Sequence, residues 1–245
     1  MDKAHPAKDR SARHIIIAID GPAGSGKSTL AALLARKYGY VNIETGAMYR
    51  ALALKAIENQ VSLEDGNALA ELARRSRIEL RPQGEGNQVL LDATDVTERV
   101  RRHDVTEAAS KVSVHPAVRE WMVRRQQEIG AGGGIVMEGR DIGTKVFPDA
   151  EVKIFLDAAP ETRGTRRFLQ NPAIAKTKPE AAVLAEMRAR DERDRNRANS
   201  PLIAAPDAVV IDSTHLTLEQ VVERATEIVE QRLREGGQVR KPLSI

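Results

Sequence analysis

The chain contains no cysteine. Disulfide bonds, thiolate nucleophiles and cysteine-ligated metals are therefore excluded, and this composition is compatible with a cytoplasmic protein. Aromatic residues are scarce, with one Trp, three Tyr and three Phe among 245 residues. So few rings provide little material for the stacking platforms that bind single-stranded nucleic acid. The formal net charge of +3 is too small to indicate a polyanionic partner by itself.

Long hydrophobic runs are also absent. The first apolar run, residues 15–19, is much shorter than the core of a signal peptide or a membrane span. We therefore expect a cytoplasmic protein with neither a membrane nor a nucleic acid as partner. The length fits one enzyme-sized domain with insertions. Residues 1–14 are expected to form a disordered extension, and residues 234–245 a C-terminal tail.

Short apolar runs, each bounded by Gly, Pro or polar residues, carry the organisation of the chain. The clearest are residues 15–20, 135–138, 152–157 and 208–212, and a weaker one spans residues 41–45. Amphipathic stretches occupy residues 27–38, 161–170, 180–197 and 218–233. Runs of this kind are typical of strands buried on both faces, and their alternation with helices predicts a doubly wound α/β fold with a parallel sheet.

Residues 77–92 break this alternation. Two strand-like segments, 77–82 and 88–92, flank Gly84-Glu85-Gly86. The glycine-containing connection predicts a β-hairpin inserted into the main domain.

The sharpest motif joins the first apolar run to the first amphipathic stretch. It reads Gly21-Pro22-Ala23-Gly24-Ser25-Gly26-Lys27-Ser28, matches G-x-x-x-x-G-K-[ST] and is followed by Thr29. Glycines let backbone N–H groups converge on phosphate oxygens, and the helix that follows presents its positive N-terminus to the anion. We expect residues 21–29 to bind a nucleoside triphosphate, with Lys27 on the β and γ phosphates and Ser28 on Mg²⁺. The flanking strand and helix disfavour the alternative, an ordinary glycine-rich turn.

A phosphate loop alone does not distinguish switches, motors and kinases. A GTPase switch is expected to carry Asn-Lys-x-Asp, but no Asn in this chain is followed by Lys. The apolar strands end in Glu138-Gly139, Asp157-Ala158 and Asp212-Ser213, so none closes with the Asp-Glu pair typical of ATPase motors. Both classes are disfavoured.

A small kinase must bind a second substrate opposite the γ-phosphate. Arg50, in the segment Thr45-Gly46-Ala47-Met48-Tyr49-Arg50, is well placed to hold an acidic acceptor. Three further segments are Val118-Arg119-Glu120, Gly139-Arg140-Asp141-Ile142-Gly143-Thr144 and Arg190-Asp191-Glu192-Arg193-Asp194-Arg195-Asn196-Arg197. With the phosphate loop, these segments stand in the order found in bacterial cytidylate kinases, which the chain resembles over roughly residues 15–233.

The resemblance implies Mg²⁺-dependent phosphoryl transfer from ATP to CMP or dCMP. It implies a three-layer P-loop NTPase fold with a five-stranded parallel sheet, a lid and an acceptor-binding insert. The core then comprises residues 15–44, 119–160 and 198–233, the insert residues 45–118 and the lid with its helix residues 161–197. We expect the protein to act as a monomer.

The same resemblance implies roles for the acceptor side. Arg50, Arg140 and Arg197 form a clamp on the acceptor phosphate, as planar guanidinium groups bind phosphate oxygens bidentately. Thr45 and Tyr49 belong to the same acceptor site. Ser110, Arg119 and Asp141 correspond to the cytosine-reading residues. A carboxylate accepts from the exocyclic amine of cytosine, where uracil carries a carbonyl oxygen.

Two arginine-rich stretches have two interpretations each. Arg190, Asp194 and Arg197 share a helix face, and form either a salt-bridged surface helix with an Arg190–Asp194 pair or, as the resemblance implies, the ribose side of the acceptor site. Arg163, Arg166 and Arg167 also share a face. They are either solvated surface charges or lid arginines that act with Lys27 on the transferring phosphoryl group.

Two alternative functions remain open. The first is a P-loop kinase for another small acceptor, such as UMP or a non-nucleotide acid. The second is a non-catalytic nucleotide-binding or RNA-associated module, which the aromatic content and weak net charge disfavour.

Overall fold

The apolar runs of the sequence form one parallel sheet. A computed structural model describes residues 14–84, 86–170 and 178–238. The strands of its two sheets are β1 (Ile16–Asp20), β2 (Val41–Glu44), β3 (Ile78–Gln83), β4 (Gly86–Leu91), β5 (Thr94–Asp95), β6 (Ile135–Gly139), β7 (Val152–Asp157) and β8 (Val209–Asp212). Within the described ranges, five of them form a parallel sheet in the order β2-β6-β1-β7-β8.

Helices cover both faces of this sheet. They are α1 (Lys27–Tyr38), α2 (Thr45–Glu58), α3 (Gly66–Arg74), α4 (His103–Val112), α5 (Pro116–Gly130), α6 (Pro160–Gln170), α7 (Glu180–Asn196) and α8 (Leu218–Gln238). Ile17 and Ile19 of β1 pack with side chains of α1 and α8, whereas Ala18 packs with Val123 of α5 on the opposite face. Successive strand residues point to opposite faces, so both faces of β1 are buried. The predicted three-layer α/β fold with a five-stranded parallel sheet is confirmed.

A second hydrophobic core lies beside the sheet. Met48 and Leu52 of α2, Leu69 of α3, Val105 of α4 and Met122 of α5 belong to it. The hairpin predicted near residues 77–92 is present as β3 and β4, which pair antiparallel with Ile78 opposite Leu91, and β5 extends this small sheet. This unit supplies one wall of the cavity described below.

The sequence interpretation assigned no helix between residues 45 and 118. In α2 the side chains of Ala51, Leu52, Ala53 and Leu54 are all fully buried. A helix buried on every side lacks the polar stripe that reveals an amphipathic helix, and a continuous apolar run does not separate helix from strand.

The described residues end within α8, which continues to Gln238, past the predicted end at residue 233. Gln231 and Arg232 both bond to Glu235 across this stretch, at 2.8 and 3.1 Å, and support the helix beyond its apolar face. The expectations for residues 1–13 and 239–245 lie outside the described residues, as do residues 171–177 of the predicted lid. Among the residues described, no helix is both long and apolar enough to cross a membrane.

Candidate active site

Three neighbouring strands end at one edge of the sheet, and each ends in or next to a carboxylate. Asp20 of β1 lies in register with Gly139 of β6, and Glu44 of β2 with Glu138 of β6. In open α/β sheets, ligands bind outside the carboxyl ends of the strands. The structure therefore places acidic groups where a ligand site is expected.

The phosphate loop follows β1 and leads into α1, as its motif predicts. Gly21 has a φ of +147°, and a Cβ there would lie 2.0 Å from the carbonyl oxygen of Leu156. At Gly24, with φ of +75°, a Cβ would lie 2.8 Å from Met187 Cε of α7. Side chains are excluded at both positions, so the backbone can approach a bound anion closely.

Lys27 is buried at the start of α1. Its Nζ donates to the Pro22 carbonyl oxygen at 2.6 Å and lies 3.4 Å from Ser25 Oγ. Burial, followed by repulsion from Arg140, lowers the pKa of Lys27 to about 7, although Glu138 opposes the shift. Phosphate oxygens beside Nζ favour the ammonium form, so this lysine suits an anionic ligand.

Ser28 Oγ donates to Glu138 Oε1 at 3.1 Å, which joins the loop to the end of β6. Burial raises the pKa of the Glu138 carboxyl, and nearby Lys27 opposes this shift. Mg²⁺ prefers hard oxygen ligands and is commonly held by one or two protein groups together with substrate phosphates. The Ser28 hydroxyl and the Glu138 carboxylate fit this mode. No cluster of three or more His, Asp or Glu suited to a metal occurs among the described residues.

A cavity of about 410 Å³ extends from the phosphate loop to the far wall formed by α2, α4 and α5. Among the described residues, eight basic and four acidic side chains line this cavity. The basic ones are Lys27, Arg50, Arg101, Arg119, Arg140, Arg167, Arg190 and Arg197. The acidic ones are Glu44, Glu138, Asp141 and Asp194. The excess of positive charge favours a ligand with several negative charges.

Carboxylates orient the arginines of this cavity. Arg50 Nη2 bonds to Glu44 Oε1 at 2.6 Å, and Arg140 Nε bonds to Asp194 Oδ2 at 3.0 Å. Arg197 Nη1 lies 3.6 Å from the other oxygen of Asp194. Each guanidinium keeps further N–H groups for a ligand.

Several buried guanidinium nitrogens have no hydrogen-bond partner among the described residues: Arg50 Nε, Arg190 Nε and Arg197 Nη2. Burial and the neighbouring Arg140 lower the pKa of Arg190 to about 10, and burial together with Arg119 lowers that of Arg197. Unpaired buried donors and repulsion between cations are both relieved by a phosphate dianion.

Arg190 and Asp194 do not form the surface ion pair that one interpretation of α7 predicted. Asp194 is 4% exposed and bonds to Arg140, while Arg190 lines the cavity. Arg197 follows the last residue of α7 and is also buried. The structure therefore brings all three side chains to the cavity, as the alternative interpretation required.

Arg119 and Asp141 form a buried ion pair on the far wall. Arg119 Nη2 lies 2.5 Å from Asp141 Oδ2, and both side chains are almost fully buried. The Arg119 guanidinium also lies over the Tyr49 ring, 5.6 Å from its centroid, and burial raises the pKa of Tyr49 to about 12. These contacts fix a donor and an acceptor side by side.

Ser110 lies apart from this pair. It lines an adjoining cavity of about 210 Å³, and its Oγ accepts from Arg193 Nε at 3.3 Å. Its α4 neighbours Thr106 and Ala109 line the larger cavity. Thr45 does line the larger cavity, and its hydroxyl donates to the Glu138 carbonyl oxygen at 2.8 Å.

The three arginines of α6 have different surroundings. Arg167 lines the cavity, and burial together with Arg50 lowers its pKa. Arg163 is 1% exposed, pairs with Asp191 of α7 at 2.6 Å and donates to the Ala23 carbonyl oxygen at 3.0 Å. Arg166 donates to the Ser213 carbonyl oxygen at 2.7 Å. Arg167 alone of these three lines the cavity.

Sequence reasoning did not select Asp20, Glu44 or Arg101 as site residues. Asp20 and Glu44 each end a strand of the parallel sheet, and a polar residue at that position is a signal that could have found them. Arg101 belongs to a single turn at Arg99–Arg101 before α4, and no sequence signal marks it.

Known proteins resemble this chain along most of its length. The family model described as cytidylate kinase matches residues 17–231. The cytidylate kinase of Geobacillus kaustophilus (strain HTA426) is 50% identical over 221 residues, covering 90% of this chain and 99% of that protein. The cytidylate kinase of Bacillus pumilus (strain SAFR-032) is 51% identical over 209 residues, covering 85% and 93%.

Among solved structures, the shikimate kinase of Bacteroides thetaiotaomicron is similar, with a TM-score of 0.47 and 14% identity over 90% of this chain and 98% of that one. That likeness is too distant to carry an argument. The family model and the two relatives suffice: this chain belongs to the cytidylate kinase family.

Proposed function

We propose that the protein transfers the γ-phosphoryl group of ATP to CMP or dCMP, giving ADP and CDP or dCDP. The observation that carries this proposal is a single cavity with a phosphate loop at one end and the Arg119–Asp141 pair at the other. Such a cavity can hold the acceptor nucleotide with its phosphate facing the phosphate loop, where the γ-phosphate of ATP would bind. Family membership supports the same reaction.

Residues 21–29 bind the triphosphate in this proposal. Backbone N–H groups of the loop and the N-terminus of α1 contact its oxygens, and Lys27 turns from Pro22 toward the β and γ phosphates. Mg²⁺ would be held by the Ser28 hydroxyl with Glu138 and would offset charge on the phosphates.

The acceptor phosphate binds to Arg50, Arg140 and Arg197, which line the cavity. Arg50 Nε and Arg197 Nη2 have no partner among the described residues and fit a dianion. Thr45 and Gly46 at the N-terminus of α2 line the same part of the cavity. No general base is required, because the second pKa of a phosphate monoester is about 6 and the attacking oxygen is already ionised at neutral pH.

Asp141 and Arg119 read the base. The Asp141 carboxylate accepts from the exocyclic amine of cytosine, and Arg119 donates to its ring acceptors. Uracil presents an oxygen to the carboxylate instead, which leaves a buried charge facing a like partial charge. Ser110, which accepts from Arg193 beside the adjoining cavity, is the third residue that the resemblance assigns to cytosine reading. Tyr49 packs against Arg119, and Arg190 with Asp194 holds the ribose side.

The α6 arginines act in different ways in this proposal. Arg167 contacts the transferring phosphoryl group, Arg163 holds the phosphate loop at Ala23, and Arg166 fixes α6 to the end of β8. Residues 45–118 serve as the acceptor-binding insert and residues 161–197 as the lid with its helix. We also propose a cytoplasmic monomer with no nucleic-acid or membrane partner, on the composition given above.

A coupled ADP-release assay with CMP, dCMP, UMP and AMP tests the proposal. We expect turnover with CMP and dCMP, weak turnover with UMP, and loss of turnover when EDTA removes Mg²⁺. A preference for UMP or AMP would contradict the cytosine assignment. Binding of ATP without CMP-dependent ADP release would indicate a non-catalytic nucleotide-binding module.

A further inference from the structure

Asp20, the last residue of β1, is a buried carboxylate to which the mechanism above gives no role. It is 5% exposed, and its two oxygens accept from the backbone N–H groups of Ile142 at 2.8 Å and Gly143 at 2.7 Å. These bonds connect the strand that carries the phosphate loop to the segment that carries Arg140 and Asp141.

The two N–H groups open a short π-helical turn at Ile142–Val146. The first N–H groups of any helix have no partner within that helix, and the residue just before it commonly accepts from them through an Asp, Asn, Ser or Thr side chain. Asp141 occupies that position, but its side chain makes no capping bond. Its carboxylate bonds to Arg119 instead.

Asp20 therefore caps this turn from a distant part of the sequence, in place of Asp141, the residue directly before the turn. The fit is close, because a Cβ at Gly143 would lie 3.4 Å from Asp20 Oδ2 and 3.2 Å from Lys153 Cδ. Burial raises the pKa of Asp20 to about 7, and the two backbone N–H groups oppose that shift by favouring the carboxylate. The charged side chains that act on this pKa are Asp141 and Lys27, which line the two ends of the cavity.

We propose that Asp20 is a positioning residue for base selection, which caps the turn at Ile142–Val146 and so keeps the Asp141 carboxylate available to Arg119 and the base. This inference rests on the base-reading role proposed for Asp141.

Replacement of one Asp20 oxygen by an amide nitrogen places a donor against a backbone N–H. A buried N–H without an acceptor is costly, and the Asp141 carboxylate is the closest local substitute. Once it rotates to cap the turn, it no longer faces the base. The expected consequence is a loss of discrimination between CMP and UMP.

The experiment compares Asp20→Asn with Asp212→Asn. Asp212 ends β8, is exposed, and accepts from the N–H of Thr214 at 2.9 Å, so it is a strand-end aspartate away from the cavity. We expect Asp20→Asn to lower the ratio of kcat/KM for CMP to that for UMP by about fivefold, with the KM for ATP unchanged. Asp212→Asn should leave the ratio unchanged.

A double variant separates positioning from general damage. In an Asp141→Ala background, Asp20→Asn should not change the CMP to UMP ratio further, because the group through which it acts is gone. A further fall in that background would overturn the inference. So would equal losses of kcat/KM with both acceptors in Asp20→Asn alone.

The remaining outcomes are also decisive. If Asp141→Ala lowers the ratio and Asp20→Asn does not, the positioning role is wrong and the proposed function stands. If Asp141→Ala leaves the ratio unchanged, base reading by Asp141 fails, and the inference fails with it. Should Asp20→Asn not fold, Asp20→Ser retains one oxygen acceptor and is measured in the same way. Failure of both to fold would make Asp20 a folding residue and overturn the inference.

Discussion

The two ends of the cavity are built differently. The phosphate loop comes from one continuous segment, residues 21–29, which follows a strand and runs into a helix, and in the proposed function it binds phosphate through backbone N–H groups. The acceptor end gathers Arg50 of α2, Arg119 of α5, Asp141, and Asp194 of α7, which lie far apart in the chain. A local motif can be read from sequence, but an assembled wall depends on how distant elements pack.

This difference predicts different consequences of mutation. Changes at the phosphate-loop end should reduce turnover with every acceptor, and changes at the acceptor end should alter which acceptor is used or how tightly it binds.

Lys27→Ala should give the largest effect. Loss of the cation beside the transferring group is expected to lower kcat by about 10³-fold with CMP and dCMP alike, with CMP binding retained. Coupled ADP release and calorimetric titration with CMP measure the two quantities. Lys37→Ala, an exposed lysine at the other end of α1, is the control. Loss of CMP binding in Lys27→Ala would show that the two ends are not separable.

Arg167→Ala should lower kcat by about 10²-fold, because this side chain lines the cavity between the two ends. Arg166→Ala should instead lower the thermal midpoint, since it removes the donors to Ser213. Comparison of kcat and Tm in the two variants distinguishes a catalytic role for Arg167 from a structural role for Arg166. A larger fall in kcat for Arg166→Ala would reverse the assignment.

Arg50→Lys tests the acceptor end. The planar guanidinium of Arg50 can bond to Glu44 and to a phosphate at the same time, and a lysine ammonium lacks this geometry. We therefore expect the KM for CMP to rise about 30-fold while the KM for ATP stays constant. Arg75→Lys is a matched control, because Arg75 pairs with Glu71 on the exposed surface. A parallel rise in both KM values would contradict the division of the cavity.

Asp141→Ala should give the smallest change in overall turnover but a specific one. We expect the preference for CMP over UMP, measured as the ratio of kcat/KM values, to fall about tenfold. Asp149→Ala, at an exposed aspartate in the following loop, should leave the ratio unchanged. Equal losses with CMP, dCMP and UMP would argue against base reading.

The same division explains what the sequence could predict. Short apolar runs predict all five parallel strands, and the G-x-x-x-x-G-K-[ST] motif predicts the phosphate loop. The structure confirms both. Helix α2 could not be recognised, because it is buried on every side. The likeness to cytidylate kinases was found from motifs in order and is confirmed by the comparisons.

The contacts of individual side chains depend on side-chain rotamers and on how helices pack, and the spacing of residues in the sequence does not determine either. Arg163, Arg166 and Arg167 share a helix face by count, yet the first pairs with Asp191, the second bonds to Ser213 and the third lines the cavity. Asp20 is separated from the Ile142 and Gly143 amides by 122 and 123 residues, about half of the chain. No local sequence pattern predicts a contact between residues so far apart.

Arg163 touches both the Ala23 carbonyl oxygen and the Asp191 carboxylate, so one rigid guanidinium joins the phosphate loop to α7. The same helix carries Arg190 and Asp194 to the cavity. In the proposed arrangement, a movement of α7 upon binding of the acceptor nucleotide therefore also moves the phosphate loop, which holds the other nucleotide. Occupancy of either nucleotide site should thus change affinity at its neighbour, and thermodynamic linkage requires the factor to be equal in both directions.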